Sequence, residues 1–251
     1  MRKPSSSTRR GPAQRARGLP SVAPGLAGPA SAALKYGLIG VLAFGVPGWA
    51  RVPEPANLLP HKEEIRAYVE SGAYLRGVRE VAEEAKAWLG ERVARAREGE
   101  KPERLAVVFD VDETLLDGTA HMMAQDFGYV RAVWNAYVEA AGVPALEPVR
   151  EVYRQARQLR IDVVIITGRP ERLRAATERN LRSIGCGEIV KLMMRPEGSR
   201  EANATLKRAQ RQQLAAEGFV IIANIGDQQS DFAGGGAERD FKLPNPFYLS
   251  D

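Results

Sequence analysis

Four short runs of unbroken apolar residues, separated by longer stretches with helical spacing, constrain the fold of this chain more than any other feature. Runs in which apolar and polar residues do not alternate are typical of strands buried on both faces, as in a parallel sheet. Their alternation with helices predicts an α/β fold with a doubly wound parallel sheet. The predicted strands are 105–109, 163–166, 189–194 and 219–223. The predicted helices are 131–141, 149–159, 171–184 and 204–217, preceded by a helical region over 61–100 that is broken at Ser71 and Gly72.

The charge of the chain is unevenly distributed along its length. The net charge is +5, but residues 1–50 hold seven of the 36 basic residues and none of the 31 acidic ones. The remainder, 51–251, is nearly neutral, so the basic balance gives no argument for binding a nucleic-acid polymer. The single cysteine, Cys186, excludes an intrachain disulfide and a Cys/His zinc site.

The first fifty residues have a composition of their own. Residues 1–35 are rich in Pro, Gly, Ser and Arg without hydrophobic periodicity, which predicts a disordered basic segment. The apolar heart of 36–50 is about ten residues long, whereas a membrane span needs about twenty. Positive charge before it, and Gly48 and Ala50 at signal-peptidase spacing, predict an export signal. We expect an exported protein that meets the membrane only through this signal, with a membrane anchor as the alternative.

Polar residues follow three of the four predicted strands. In a doubly wound sheet the ligand site lies beyond the carboxyl ends of the strands, so these residues predict a site at that edge. They are Asp110 and Asp112 after the first strand, Thr167, Gly168 and Arg169 after the second, and Asp227 and Asp231 after the fourth.

The two aspartates after the first strand face one site, because residues two apart at a strand end point to the same side. Their repulsion calls for a cation, and with Asp227 and Asp231 they offer the hard oxygen ligands that suit Mg²⁺. Such a metal also clamps a phosphate oxygen beside a nucleophile. Asp110 is placed to attack phosphorus, and Asp112 to protonate a leaving alcohol and then activate water.

Phosphoryl transfer also needs donors for the equatorial oxygens of the phosphate. The Thr167 hydroxyl and the backbone around Gly168 can donate, and Lys207 is the candidate for the positive charge. For Arg169, pairing with a carboxylate and contact with a substrate are equally open. His121 is either a pocket acid or a structural histidine.

Four segments carry a resemblance to a known family. They are FDVDETLLDG, ITGRPERLRAATERNLRSIG, LKRAQRQQL and NIGDQQSDFAGGGAERDFKLPNPFY, and the resemblance as a whole covers roughly 58–248. In this order and spacing the chain resembles the haloacid dehalogenase (HAD) superfamily. The closing FKLPNPFY is similar to its acid phosphatase branch, which includes class B and class C acid phosphatases and vegetative storage proteins.

The resemblance implies a HAD-like domain over 51–251 that hydrolyses small phosphate monoesters through an aspartyl-phosphate and uses Mg²⁺. It implies that Asp110 is the nucleophile and Asp112 the acid/base, with the Asp112 backbone carbonyl among the metal ligands. It also implies that Thr167 and Lys207 bind phosphate, with Arg211 in the place of a basic residue that follows the lysine. Asp227 would be a metal ligand, and Asp231 would support the metal site.

About fifty residues separate the first aspartates from the second strand, more than one crossover helix needs. The surplus, about 119–145, is apolar and helical, which predicts a small helical cap inserted after the first strand. Such a cap would shield the intermediate from water and select the leaving group. Trp134 and Tyr137, three apart on one of its helices, are expected to pack in the core.

A catalytically weak or inert storage or binding protein of the same fold is the alternative function. Some plant relatives are storage proteins, and lost nucleophiles mark the inert ones, so the presence of Asp110 disfavours this alternative. A phosphatase acting on protein phosphoserine is disfavoured by the FKLPNPFY ending and by the cap. The ester, whether a nucleotide, a sugar phosphate or a broad range, and the oligomeric state stay open.

Overall fold

The computed structural model describes residues 54–99 and 102–250. The basic segment and the export signal predicted for 1–50 therefore lie outside the described residues. Among the helices that are described, none combines the length and the apolar character that a membrane span requires.

The centre of the domain is a sheet of five parallel strands in the order β3-β2-β1-β4-β5. All four predicted strands are present, and the fold class is the predicted doubly wound α/β. The short edge strand β5 was not predicted, because its three residues include two charged ones and carry no apolar run. The strands are β1 (Arg104–Phe109), β2 (Asp162–Pro170), β3 (Lys191–Arg195), β4 (Phe219–Gly226) and β5 (Asp240–Lys242).

Seven α-helices accompany the sheet in the described residues. The predicted break at Ser71 and Gly72 separates the first two, and Gly72 has a φ of +73°, a left-handed conformation that glycine adopts without steric cost. A 3₁₀ turn (Glu171–Leu173) leads into α6, and a second (Gln229–Asp231) follows β4. The helices are α1 (Leu58–Glu70), α2 (Ala73–Glu98), α3 (Thr119–Ala124), α4 (Arg131–Ala140), α5 (Glu147–Gln158), α6 (Arg174–Ser183) and α7 (Asn203–Ala216).

Both faces of the sheet are covered, which explains why its strands read as continuous apolar runs. In β1, Val107 and Phe109 join the larger core with residues of α2 and α5, whereas Ala106 and Val108 pack on the opposite face with Leu214 of α7. The buried residues of α5 recur at three- and four-residue spacing and are Val149, Val152, Tyr153 and Ala156.

The path of the chain places β1 and β4 side by side. From β1 in the centre the chain moves outward through β2 to β3, then returns to β4 on the other side of β1. The backbone N–H of Asp110 donates to the Ile225 carbonyl at 3.0 Å, so the carboxyl ends of β1 and β4 lie together. This is the point of a doubly wound sheet where ligands bind.

Candidate active site

Three buried carboxylates converge where β1 and β4 end. Asp110 follows β1, Asp227 follows β4, and Asp231 ends the 3₁₀ turn after β4. One carboxylate oxygen of each lies within 4.8 Å of the other two. All three side chains are almost completely buried, at 7%, 1% and 2% exposure. Water cannot screen these charges, so the cluster requires cations.

One cation is supplied by the chain itself. The ammonium of Lys207, from α7, donates to Asp110 Oδ1 at 2.7 Å and to Asp231 Oδ1 at 2.5 Å. Burial by itself would lower the pKa of Lys207, but the two carboxylates outweigh burial and raise it. Lys207 therefore stays charged between two carboxylates, as a phosphate-binding lysine must.

One ammonium does not compensate the whole cluster. Burial raises the pKa of Asp110 well above its usual range, and the neighbouring Asp231 and Asp227 raise it further, although Lys207 opposes them. Burial likewise raises the pKa of Asp227, and Asp231 adds to the effect. A divalent cation bound by these oxygens would stabilise their ionised forms. The donor set therefore fits a hard metal ion such as Mg²⁺.

Asp227 is held in place by three side chains. Its Oδ1 accepts from the Thr114 hydroxyl at 3.1 Å, and its Oδ2 accepts from the amides of Gln228 at 2.6 Å and Asn245 at 2.7 Å. The motif reasoning did not identify these three as site residues. Thr114 and Gln228 adjoin the aspartate motifs, and Asn245 lies in FKLPNPFY, so their positions were the available signal.

Asp231 serves the loop as well as the cluster. Its Oδ2 accepts from the backbone N–H of Gln228 at 2.8 Å, which completes a capping box around the 3₁₀ turn. Arg211, the basic residue that follows Lys207 in its motif, donates to the backbone carbonyls of Asp231, Ala233 and Gly235. Arg211 thus fixes the acidic loop.

Asp112 lies apart from the three-carboxylate cluster and is paired with Arg169. Arg169 Nε donates to Asp112 Oδ2 at 2.9 Å, and Nη2 donates to Oδ1 at 2.6 Å. A third donor, Nη1, reaches the Thr177 hydroxyl in α6 at 3.1 Å. Of the two alternatives for Arg169, the structure shows the carboxylate pair. For Asp112 it shows a carboxylate bound to a guanidinium.

Two of the predicted phosphate-binding residues, Thr167 and Gly168, lie in the last part of β2, which extends to Pro170 and so beyond the predicted end of this strand, whereas Lys207 comes from α7. Thr167 is buried, and its hydroxyl accepts from the backbone N–H of Arg169 at 3.2 Å. A Cβ added to Gly168 would lie 2.7 Å from Asn203 Oδ1, so an alanine there would require the Asn203 side chain or the backbone at Gly168 to shift. Arg195 donates to that same Asn203 oxygen at 2.5 Å and to the Gly168 carbonyl at 3.4 Å.

A cavity of about 910 Å³ opens above these residues. Five of the seven predicted site residues line it, whereas Asp227 and Asp231 do not. Residues of α3 and α4, of the loop between β3 and α7, and of the C-terminal segment 248–250 complete its walls. The five lining residues are Asp110, Asp112, Thr167, Gly168 and Lys207.

Aromatic side chains form the wall contributed by α3 and α4. The ring of His121 stacks on that of Tyr137 with centroids 3.9 Å apart, and Trp134 lies 5.8 Å from His121. Trp134 and Tyr137 pack against the core as expected, and Trp134 also lines the cavity. Burial lowers the pKa of His121 and raises that of Tyr137 to about 12. Both rings are therefore neutral near pH 7.

Glu113 is a buried carboxyl that the sequence reasoning did not single out. It lies between the two-aspartate motif and Gly118, has a φ of +50°, and accepts from the Tyr248 hydroxyl. Burial raises its pKa well above the usual range, and Asp112 and Asp227 raise it further. Together with Asn245, Tyr248 joins the C-terminal segment to the carboxyl ends of β1 and β4.

A parallel α/β domain with paired aspartates after β1 and a second acidic loop after β4 belongs to the HAD-like class. The family model described as HAD superfamily, subfamily IIIB (acid phosphatase), matches residues 46–251. The chain belongs to this family, and family membership makes it a phosphomonoesterase by class.

Curated relatives and a solved structure agree with this family. The chain is 32% identical to acid phosphatase 1 of Solanum lycopersicum over 80% of this chain and 81% of the relative. It is 31% identical to vegetative storage protein 1 of Arabidopsis thaliana, over 56% of this chain and 54% of the relative. The class C acid phosphatase of Bacillus anthracis with tungstate bound has the same fold, with a TM-score of 0.60 at 19% identity over 75% of this chain and 86% of that one.

Proposed function

We propose that this chain is an exported acid phosphatase that hydrolyses small phosphate monoesters with Mg²⁺, through an aspartyl-phosphate on Asp110. One observation supports this proposal above the others. The Asp110 carboxylate lines the cavity, contacts the Lys207 ammonium, and lies beside two further buried carboxylates. A nucleophile, a phosphate-binding cation and a metal-binding acidic cluster are thereby brought to one point.

The residues that would hold Mg²⁺ are Asp110, Asp227 and the backbone carbonyl of Asp112, with Asp231 supporting the site. The acidic composition of the cluster, and the raised pKa values of Asp110 and Asp227, support this assignment. When bound, Mg²⁺ would offset the charge of the carboxylates and polarise the phosphate.

The covalent steps follow from the placement of the two aspartates. A carboxylate oxygen of Asp110 forms a bond to phosphorus while the ester oxygen–phosphorus bond breaks, and Asp112, which enters this step in its protonated form, gives its proton to the departing oxygen so that an alcohol leaves. Asp112, now ionised, then takes a proton from a water molecule that attacks the phosphorus. The acyl-phosphate bond breaks, inorganic phosphate leaves, and Asp110 is restored.

The phosphate oxygens need donors that are in place before the reaction. Lys207 supplies a positive charge that the Asp110 and Asp231 carboxylates hold in position. The Thr167 hydroxyl and the backbone at Gly168 line the same cavity. We assign phosphate binding to these three residues.

We assign the role of a cap to the segment 119–145, which contains α3 and α4. Its His121 and Trp134 line the same cavity as Asp110 and Asp112, so we expect a leaving group to contact them. The cavity suits a small ester better than a folded protein. Export is proposed from the signal plan of 36–50, with a membrane anchor as the alternative.

A catalytically weak or inert storage protein is the second candidate, and the similarity to vegetative storage protein 1 favours it. The contact between Asp110 and Lys207, with Asp112 lining the same cavity, argues for catalysis. The two candidates differ in a single measurable property, which is turnover of a phosphate ester.

The deciding experiment is an assay of the purified chain with p-nitrophenyl phosphate, in Mg²⁺ and in EDTA, from acid to neutral pH. We expect turnover that needs the metal and that falls to background in Asp110→Asn. The matched control is Asp162→Asn, an aspartate at the opposite end of β2 whose partner is Arg104, and it should retain activity. A folded wild type without turnover of any small ester would favour the storage protein.

A further inference from the structure

The pair formed by Arg169 and Asp112 has a geometry that simple charge compensation does not require. Two different nitrogens of one guanidinium donate to the two oxygens of one carboxylate, at 2.9 Å and 2.6 Å. Such a bidentate pair fixes the plane and direction of the carboxylate, whereas a single contact would leave it free to rotate.

The arginine is itself held rigidly. Its side chain is 2% exposed, and Nη1 donates to Thr177 in α6, so that α6 and β2 both anchor it. In the described residues Asp112 is its ion-pair partner, and Asp112 is 18% exposed toward the cavity. Both residues line the cavity, but Arg169 is the more deeply buried and is also held by Thr177, so Arg169 is the fixed partner and the Asp112 carboxylate is the one that it orients.

The donors on the Asp112 side of the guanidinium are used in this pair. The fork formed by Nε and Nη2 points at Asp112, and Nη1 points at Thr177. A phosphate bound near Thr167 would meet Lys207 and backbone donors, but it would have to break the pair to receive the Arg169 fork. The geometry favours an effect on Asp112 over direct contact with phosphate.

We propose that Arg169 is a positioning residue for Asp112: when Asp112 is protonated, one of its oxygens keeps the contact with Arg169 and the other carries the proton to the leaving oxygen. This inference rests on the proposed function, because it concerns the acid/base step of that reaction. A substitution of Arg169 should thus impair protonation of the leaving group and leave phosphate binding nearly intact.

The readout is the dependence of rate on the leaving group. The ethoxide oxygen must be protonated as it departs, whereas dinitrophenolate departs without protonation. Only poor leaving groups therefore need a well-placed acid. We would measure kcat/KM of the full chain with Mg²⁺ for dinitrophenyl, p-nitrophenyl, phenyl and ethyl phosphate. The variants are Arg169→Lys, Asp112→Asn and the double variant.

We expect Arg169→Lys to lose roughly tenfold to a hundredfold in kcat/KM on ethyl phosphate and less than about threefold on dinitrophenyl phosphate, a part of the contribution of general acid catalysis. Asp112→Asn should show the same selectivity with a larger loss. The double variant should lose no more than Asp112→Asn alone, because both changes remove one function. Thr177→Val should shift the selectivity in the same direction by less.

The matched control is Arg172→Lys. Arg172 lines the same cavity but pairs with the exposed Glu197 at 3.0 Å. It should change all four substrates by a common factor, so that the ranking by leaving group is unchanged.

Two results would overturn the inference. A uniform loss across the four esters in Arg169→Lys, with weaker inhibition by inorganic phosphate, would make Arg169 a phosphate ligand. A uniform loss with a lowered melting temperature would make its role structural. If wild type fails to turn over dinitrophenyl phosphate, the proposed function fails. If wild type is active and Arg169→Lys depends on the leaving group as wild type does, only this inference fails.

Discussion

Two ion-pair centres of this molecule have mirror-image composition and opposite surroundings. Lys207 lies between two carboxylates, those of Asp110 and Asp231, and its side chain is 6% exposed. Asp126, before α4, lies between two cations, at 2.6 Å from Lys62 and 2.9 Å from Arg66, and is 61% exposed.

We interpret the ion pairs at Asp126 as structural and those at Lys207 as part of the proposed chemistry. At Asp126 water solvates the charges, so the two ion pairs join the segment after α3 to α1 with little desolvation penalty. At Lys207 the charges are buried and have lost their hydration. The attraction between buried charges seldom outweighs this desolvation penalty, so such a cluster seldom adds to stability. The buried cluster at the carboxyl ends of two strands therefore favours the proposed role in ligand binding over a role in stability.

Removal of the buried cation should have the largest effect. Lys207→Met leaves two buried carboxylates facing each other, so we expect a loss of about 3–5 kcal/mol in the free energy of unfolding in EDTA, together with loss of phosphatase activity. Urea unfolding followed by circular dichroism measures it. Lys62→Met is the matched variant at the exposed centre and should change the midpoint far less. Equal shifts of the urea midpoint in Lys207→Met and Lys62→Met would contradict the expected difference between the buried and the exposed centre.

Loss of one support of Asp227 should have the next largest effect. Asn245→Ala removes the amide that donates to Asp227 Oδ2 at 2.7 Å. We expect Mg²⁺ affinity to fall by about 10–100-fold, as is typical of residues that orient a metal ligand. The Mg²⁺ concentration at half-maximal thermal stabilisation reports this affinity. Asn57→Ala, which removes the N-cap of α1, should leave that concentration unchanged. An unchanged value in Asn245→Ala would argue against Asp227 as a ligand.

Displacement of the backbone at Gly168, in the predicted phosphate site, should have a smaller effect than the two changes above. In Gly168→Ala the new Cβ would lie 2.7 Å from Asn203 Oδ1, and because Arg195 holds this oxygen, we expect the backbone at Gly168 to shift. We expect roughly a tenfold loss in kcat/KM, since small misplacements of binding groups are costly. Gly142→Ala is the control, because a Cβ there meets no atom within 4 Å. Full activity in Gly168→Ala would remove this part of β2 from the phosphate site.

The exposed centre should give the smallest effect, with a defined pH dependence. The hydrogen bonds from Lys62 and then Arg66 lower the pKa of Asp126. A carboxyl with a lowered pKa in the folded state stabilises the protein above its unfolded pKa, about 3.9, and loses this contribution as the pH falls through the folded value. The difference in melting temperature between wild type and Asp126→Asn should be small at neutral pH and vanish on acidification. A difference that grows in acid would contradict this sign.

Much of the fold could be predicted from local pattern. The four long strands were predicted because continuous apolar runs such as 105–109 require burial on both faces, and Gly72 marked the break between α1 and α2 through its conformational freedom. The edge strand β5 could not be predicted, because Asp240 and Lys242 flank a single buried Phe241. Its identity as a strand depends on pairing with β4, which is a long-range contact.

The site shows the same division between local and tertiary information. The positions of Asp110, Asp112, Thr167, Lys207, Asp227 and Asp231 follow from motifs at strand ends and in one helix, as the family assignment supports. Their assignment to catalysis, phosphate and metal remains a prediction. The partners Asn245 and Tyr248 could not be predicted, since they lie 18 and 135 residues along the chain from the carboxyl groups that they contact. Thr177 is only eight residues from Arg169, but their contact depends on how α6 packs beside β2.

The sequence by itself determined the α/β class, the order of its elements and the strand ends that carry carboxylates, because burial and backbone preference act on neighbouring residues. The tertiary structure alone decided how those carboxylates are compensated. It gave Asp110 and Asp231 a shared ammonium and gave Asp112 the Arg169 fork. A charge buried at a strand end must find its partner in space, and that partner is fixed by packing of the whole sheet.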